Sequence, residues 1–176
     1  NDLIKKLQKA SKTSNIIITT GGVSVGDADY IKDALKEVGS VGFWKIAIKP
    51  GRPLAFGKIN HSYFFGLPGN PVSAAVTFQL FVIPAINQIL SQKRKKMILI
   101  KAISKNELRK KTGRTEYKRA IISIINNEVH VETTGLQGSN IMMSMLKANC
   151  YIRLPAGISS IKKGDLVEVM PFSTEL

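Results

Sequence analysis

Two Pro/Gly loops, KPGRP at 49–53 and LPGNP at 67–71, bracket an apolar hairpin and constrain this chain more than any other feature; a third loop, GGVSVGDAD at 21–29, precedes them. Glycine lets backbone N–H groups approach an anion, proline holds a loop's shape, and Lys49 and Arg52 supply the opposite charge. Together the three loops describe a rigid anion pocket.

The segments around them set the fold class. Leu3, Ile4, Leu7 and Ala10 recur at helical spacing behind Asp2, a good N-cap, and the β-branched run at 16–20 follows as a buried strand. Ile31, Ala34, Leu35 and Val38 repeat the helical period until Gly39 stops it, and 43–48 is the next strand. Helices alternating with buried strands imply an α/β domain with a mainly parallel sheet. Segments 54–59 and 62–66 flank the turn signal Asn60-His61 and form a hairpin. Asn70 as N-cap and Pro71 at the first helical position then launch an apolar helix to about Leu90.

A charged cluster at 91–96 marks the domain boundary, giving an α/β domain over 1–91 and a small, mostly β domain over 92–176. Strands are expected at 97–103, 117–125, 129–133, 150–154 and 166–170, with a tight turn at Asn126-Asn127 and a short helix capped by Ser139 or Asn140.

Charge and composition narrow the function classes. An apolar fraction of 44% suits a globular protein with a real core. The net charge of +14 favours anionic or phosphorylated partners, and residues 92–176 carry 16 of the 26 basic side chains. Nucleic acid is not expected as a partner, because no aromatic residues interleave a basic face and no reader motif is present. One cysteine, Cys150, excludes an internal disulfide and fits a reducing, cytoplasmic setting. The apolar run 74–90 is interrupted by Gln79, Pro84, Asn87 and Gln88, so no membrane span is expected.

Within the first loop, Gly21, Gly22, Ser24 and Gly26 join a strand to a helix, the geometry in which amides and a helix N-terminus hold phosphate; the spacing matches neither a P-loop nor a dinucleotide motif. Asp27 and Asp29 would repel phosphate unless a cation such as magnesium intervenes. Asp27 reads equally as an N-cap, whereas Asp29 is the better metal or acid/base candidate. Period-two alternation puts Lys45, Ala47 and Lys49 on one strand face, and a lysine buried within a sheet is costly unless it meets an anion. Lys49 and Arg52 fall at a strand's C-terminal end, where open α/β sheets bind ligands, though a solvated strand end also explains Lys49. Pro68, Gly69, Asn70 and Pro71 shape the turn into the last helix and leave its first amides free for an anion. His61 and His130 lack the neighbours of a zinc site, and Ser24 lacks a histidine partner.

At these loops the chain resembles a known family. TTGGVSVGDADYIK (19–32), FWKIAIKPGRPLAFG (43–57), FFGLPGNPVSAAVTF (64–78), GRTEYKRA (113–120) and TTGLQGSNIMMSMLKANCYIRLP (133–155) resemble the molybdopterin molybdenumtransferase family, to which the C-terminal enzyme region of gephyrin also belongs. The resemblance implies part of a three-layer molybdopterin-binding domain that inserts molybdate into adenylylated molybdopterin and releases AMP, with magnesium as cofactor. It puts the family's loop aspartate on Asp29, as catalytic residue and metal ligand, and its two strand lysines on Lys45 and Lys49, holding molybdate or phosphate. It matches Pro68 and Pro71 to the pocket-shaping loop and brings Ser139 toward the same site. Asp27 stands where family members often have Glu.

The resemblance also implies a homodimer whose site is completed by the partner's upstream domain, and contact with the adenylyltransferase of the same pathway. It implies that Asn1 begins inside the substrate-binding domain, so the isolated chain is expected to hold only the lysine half of a site. Two rival functions stand beside this one. A molybdopterin adenylyltransferase shares the GG loop but lacks a β-rich second domain, and a non-catalytic scaffold fragment would not need Asp29, Lys45 and Lys49.

Overall fold

The computed structural model describes residues 2–22, 35–90, 98–138 and 140–172, with Phe43 and Trp44 described as backbone only. The chain divides into two compact units, Asn1–Ile46 with Gly51–Leu90, and Ala47–Pro50 with Ser91–Leu176.

In the first unit α1 (Asp2–Thr13) leads into β1 (Ile16–Thr20), residues 35–38 are helical, and β2 (Gly39–Lys45) follows directly. Gly39 therefore ends one element and opens the next. A Cβ there would lie 2.2 Å from the carbonyl oxygen of Lys58, so only glycine permits the pairing of β2 with its neighbour. After β3 (Ile48–Lys49), which belongs to the second unit, come β4 (Pro53–Ile59) and β5 (Ser62–Leu67). They form the expected hairpin, turned by Asn60 at φ 52°.

The strand order is β1-β5-β4-β2, with β1 parallel to β5 and the other pairs antiparallel, so the sheet is mixed. Alternation along β5 serves both faces. Phe64 packs with Leu7, Ile17, Leu35, Ala55 and Ile59 beneath α1, while Phe65 and Leu67 pack on the other face with Leu54 and Val82. Each such buried Leu, Ile, Val or Phe side chain contributes about 1.5–3 kcal/mol. The result is three layers.

The layer over Phe65 and Leu67 is one helical run: α2 (Pro71–Thr77), a π-helical turn (Phe78–Val82) and α3 (Ile83–Ile89). Asn70 caps it as expected, its Oδ1 accepting from the Ser73 amide at 3.3 Å. Pro84, which cannot donate to the helical ladder, lies just beyond the π turn. Contrary to the sequence reading, Pro71–Ile89 is long and apolar enough by length and composition to cross a membrane, with 19 residues and a mean hydropathy of 1.5. In this unit Phe78, Phe81, Ala85 and Ile86 pack against the Leu54–Phe65–Leu67–Val82 cluster, and a third of the stretch (33%) is buried.

The second unit contains β6 (Ile100–Ser104), β7 (Leu108–Arg109), β8 (Thr115–Ile125), β9 (Glu128–Thr133), α4 (Met143–Leu146), β10 (Cys150–Leu154), β11 (Ser160–Ile161) and β12 (Leu166–Pro171). Its main sheet runs β10-β12-β6-β9-β8-β3, and a further β10–β8 pairing closes it into a small barrel. Inward residues, among them Ala102, Ala120, Val131, Cys150, Ile152 and Val169, fill the interior. The β8–β9 hairpin turns on Asn126 and Asn127, at φ 50° and 62°. The helix expected to start at Ser139 or Asn140 is a single turn at Met143–Leu146.

Candidate functional site

Parallel pairing of β1 with β5 puts Thr20 opposite Leu67 and brings two of the predicted loops together at the strands' C-terminal ends. The Gly21 amide donates to Leu67 O at 3.0 Å. Gly21 and Gly22 have φ of 86° and 68°, and a Cβ on Gly69 would stand 3.3 Å from the Cα of Gly21. A side chain at Gly69 would crowd the other loop, whereas one on Gly21 would stand 4.0 Å from the Gly69 Cα and be disfavoured by its positive φ instead. Pro68, Gly69, Asn70 and Pro71 then deliver the start of α2 to this same end of the sheet, where open α/β sheets bind their ligands.

The KPGRP loop behaves differently from expectation. β2 ends at Lys45, and the Ile46 amide donates to Arg52 O at 2.9 Å. Between these residues, Ile48 and Lys49 pair in parallel with Thr115 and Glu116 of β8. Lys45 and Arg52 thus belong to the first unit and Lys49 to the second, so the two lysines do not share a strand face. Nor is Lys45 buried: it is exposed at the end of an edge strand, which removes the burial argument for it. The single strand expected over 43–48 is two strands, because the chain leaves one sheet after Lys45 and enters the other at Ile48.

In the second unit, Lys49 Nζ lies 3.3 Å from Glu116 Oε1, and Lys118 Nζ lies 3.3 Å from the same oxygen. The Glu116 side chain is 7% exposed and that of Lys49 53%, so the carboxylate holds the lysine's head at the edge of solvent. Beside this pair is a cavity of about 360 Å³ lined by Lys49, Arg109, Lys110, Lys111, Arg114 and Glu116. Apart from Lys49, none of these cations was singled out from the sequence. Their signal was a basic cluster in RKKTGR at 109–114, beside the glycine that turns it.

The segment before Ser139 is anchored by a buried cation. Arg119 is 1% exposed; its Nε donates to Ser144 Oγ and its guanidinium NH2 to Gly138 O, both at 3.0 Å. Its amide donates to Gln137 Oε1 at 2.8 Å, and Gln137 Nε2 returns a bond to Arg119 O. Burial holds the guanidinium below its usual pKa.

Comparison with known proteins decides the relationship. Residues 1–88 match the family described as "Probable molybdopterin binding domain", and residues 101–172 match "MoeA C-terminal region (domain IV)". The chain belongs to the molybdopterin-binding family. A "Molybdopterin molybdenumtransferase" of Haemophilus influenzae is 43% identical over 166 residues, covering 93% of this chain and 41% of that protein. The Drosophila melanogaster "Molybdenum cofactor synthesis protein cinnamon" is 36% identical, covering 90% of this chain and 27% of that one. A solved molybdopterin biosynthesis moeA protein from Pyrococcus horikoshii superposes with a TM-score of 0.72 at 25% identity, covering 97% of this chain and 38% of that one. The chain spans less than half the length of each.

Within the molybdopterin-binding region, then, Gly21, Gly22, Pro68, Gly69, Asn70 and Pro71 form one cluster. Ser24, Gly26, Asp27 and Asp29 from that region, and Ser139 from the MoeA C-terminal region, lie outside the described residues. Among the described residues no group of three His, Cys, Asp or Glu side chains could hold a metal ion.

Proposed function

We propose that this chain forms part of a molybdopterin molybdenumtransferase, which inserts molybdate into adenylylated molybdopterin and releases AMP. The observation that carries this reading is the meeting of the Gly21 and Gly69 loops at the C-terminal ends of β1 and β5 in a chain of this family. Amides at such a strand end and at the start of α2 suit a phosphate-bearing substrate. In this reading Lys45 and Lys49 supply positive charge to molybdate or phosphate. Arg52 adds charge beside Lys45's strand.

Asp29, with Ser24 and Gly26, completes the first loop, and Ser139 contributes from the second region. In this reading Asp29 would be a magnesium ligand, the ion offsetting charge between that carboxylate and the substrate's phosphates. A homodimer, a cytoplasmic setting and contact with the pathway's adenylyltransferase belong to the same proposal.

The test uses the full-length protein supplied with adenylylated molybdopterin and limiting molybdate. Lys49→Ala and Lys45→Ala should each lower molybdenum insertion at least tenfold while circular dichroism is unchanged. Asp29→Asn should lower magnesium-dependent turnover more than it lowers the melting temperature. Unchanged insertion in both lysine variants would defeat the assignment. Formation of adenylylated molybdopterin from ATP and molybdopterin, without insertion, would favour the adenylyltransferase instead.

A further inference from the structure

The cavity beside Lys49 is built more firmly than a cluster of surface lysines. β7 pairs with β11, the Lys110 amide donates to Ser159 O at 2.9 Å, and the Gly113 amide donates to Ala156 O at 3.0 Å. Lys110 Nζ is itself fastened to the carbonyl oxygens of Pro155, Ala156 and Ile158, at 3.1, 3.3 and 2.8 Å. On the opposite wall the Thr115 amide donates to Ala47 O at 2.9 Å, which fixes β3 and hence Lys49. Both walls are therefore set by backbone bonds before any ligand arrives, which reduces the ordering cost of binding.

The charges are unequally committed. Glu116 is engaged by Lys49 and Lys118, Arg109 by Glu107 at 2.6 Å, and Lys110 by backbone carbonyls. Lys111 and Arg114 are exposed on this lining, with no ion pair to any described carboxylate. Five cations thus face one carboxylate that is already shared, in a volume of about 360 Å³. Small-molecule sites start at roughly this size, about 300 Å³. Guanidinium and ammonium groups together match phosphate oxygens in geometry and charge.

We propose that this cavity binds a diphosphate group, through Arg114, Lys111 and Lys49, with Glu116 positioning Lys49. A diphosphate carries enough negative charge, spread over two linked tetrahedra, to answer several separated cations at once. The identity of its natural bearer rests on the function proposed above, in which the substrate is an adenylylated compound; the site itself does not.

The experiment is calorimetric titration of the full chain with inorganic pyrophosphate, inorganic phosphate and molybdate, each at low and high salt. Pyrophosphate should bind at least tenfold more tightly than either single oxyanion and weaken steeply with salt. Arg114→Ala and Lys111→Gln should each weaken it at least tenfold with unchanged circular dichroism, while Lys163→Ala should not. Equal affinity for the three anions, no pyrophosphate binding, or indifference to both substitutions would overturn the proposal. No turnover is measured here, so pyrophosphate binding with failed molybdenum insertion would defeat the proposed function and leave this site standing.

Discussion

A Cβ on Gly69 would stand 3.3 Å from the Cα of Gly21, so the loops that follow β5 and β1 meet glycine against glycine. Replacing Gly69 with Val should push these backbones apart, at a cost of about 1–3 kcal/mol. Gly21→Ala should also destabilise, because φ is 86° there and a side chain strains that conformation. Denaturant midpoints check both, and an unchanged midpoint for Gly69→Val would refute the close approach.

Glu116→Gln keeps the side chain's shape and removes its charge. Lys118, whose side chain is only 12% exposed, would lose its carboxylate partner. Removing one partner of a buried pair costs about 3–5 kcal/mol, and the half-exposed Lys49 lowers the expectation here to about 2 kcal/mol. Chemical denaturation measures the loss. Adding Lys118→Met to Glu116→Gln should recover much of it, since the uncompensated charge is then gone.

Arg119→Ala should destabilise the second unit by about 3 kcal/mol, because it empties a buried volume and leaves Ser144 Oγ and Gly138 O without their charged donor. Arg119→Lys should rescue only part of this, since an ammonium cannot reproduce the guanidinium's two separated bonds. Amide exchange at 135–138 should quicken in both variants if the guanidinium anchors that loop.

Burial pushes the Cys150 thiol from 9.0 up to about 12. The thiol should therefore resist thiolate-selective reagents at neutral pH until the chain unfolds. The sign for stability follows from the raised value: the neutral thiol's contribution is complete below pH 9.0 and is lost as pH rises toward about 12. Comparing wild type with Cys150→Ala across that range isolates it from the lysines. Parallel pH profiles would show that the thiol contributes nothing.

Local chemistry wrote much of this fold directly into the sequence. Asn60, Asn126 and Asn127 tolerate positive φ wherever they stand, and Asn70 with Pro71 starts a helix whatever it packs upon. The glycines at 21 and 69 read as loop positions open to an anion, and their strands were legible from β-branched and aromatic runs; that the two glycines meet each other follows only from the pairing of β1 with β5. Other features depended on pairings that no local pattern encodes. That Lys45 ends one sheet while Lys49 enters another follows from β3 finding β8, dozens of residues away. The cavity of Lys49, Arg109, Lys111 and Arg114 exists only because that pairing and the β7–β11 ladder set its walls. Side-chain type and spacing determined the elements, whereas long-range hydrogen bonding decided which charges came to face one another.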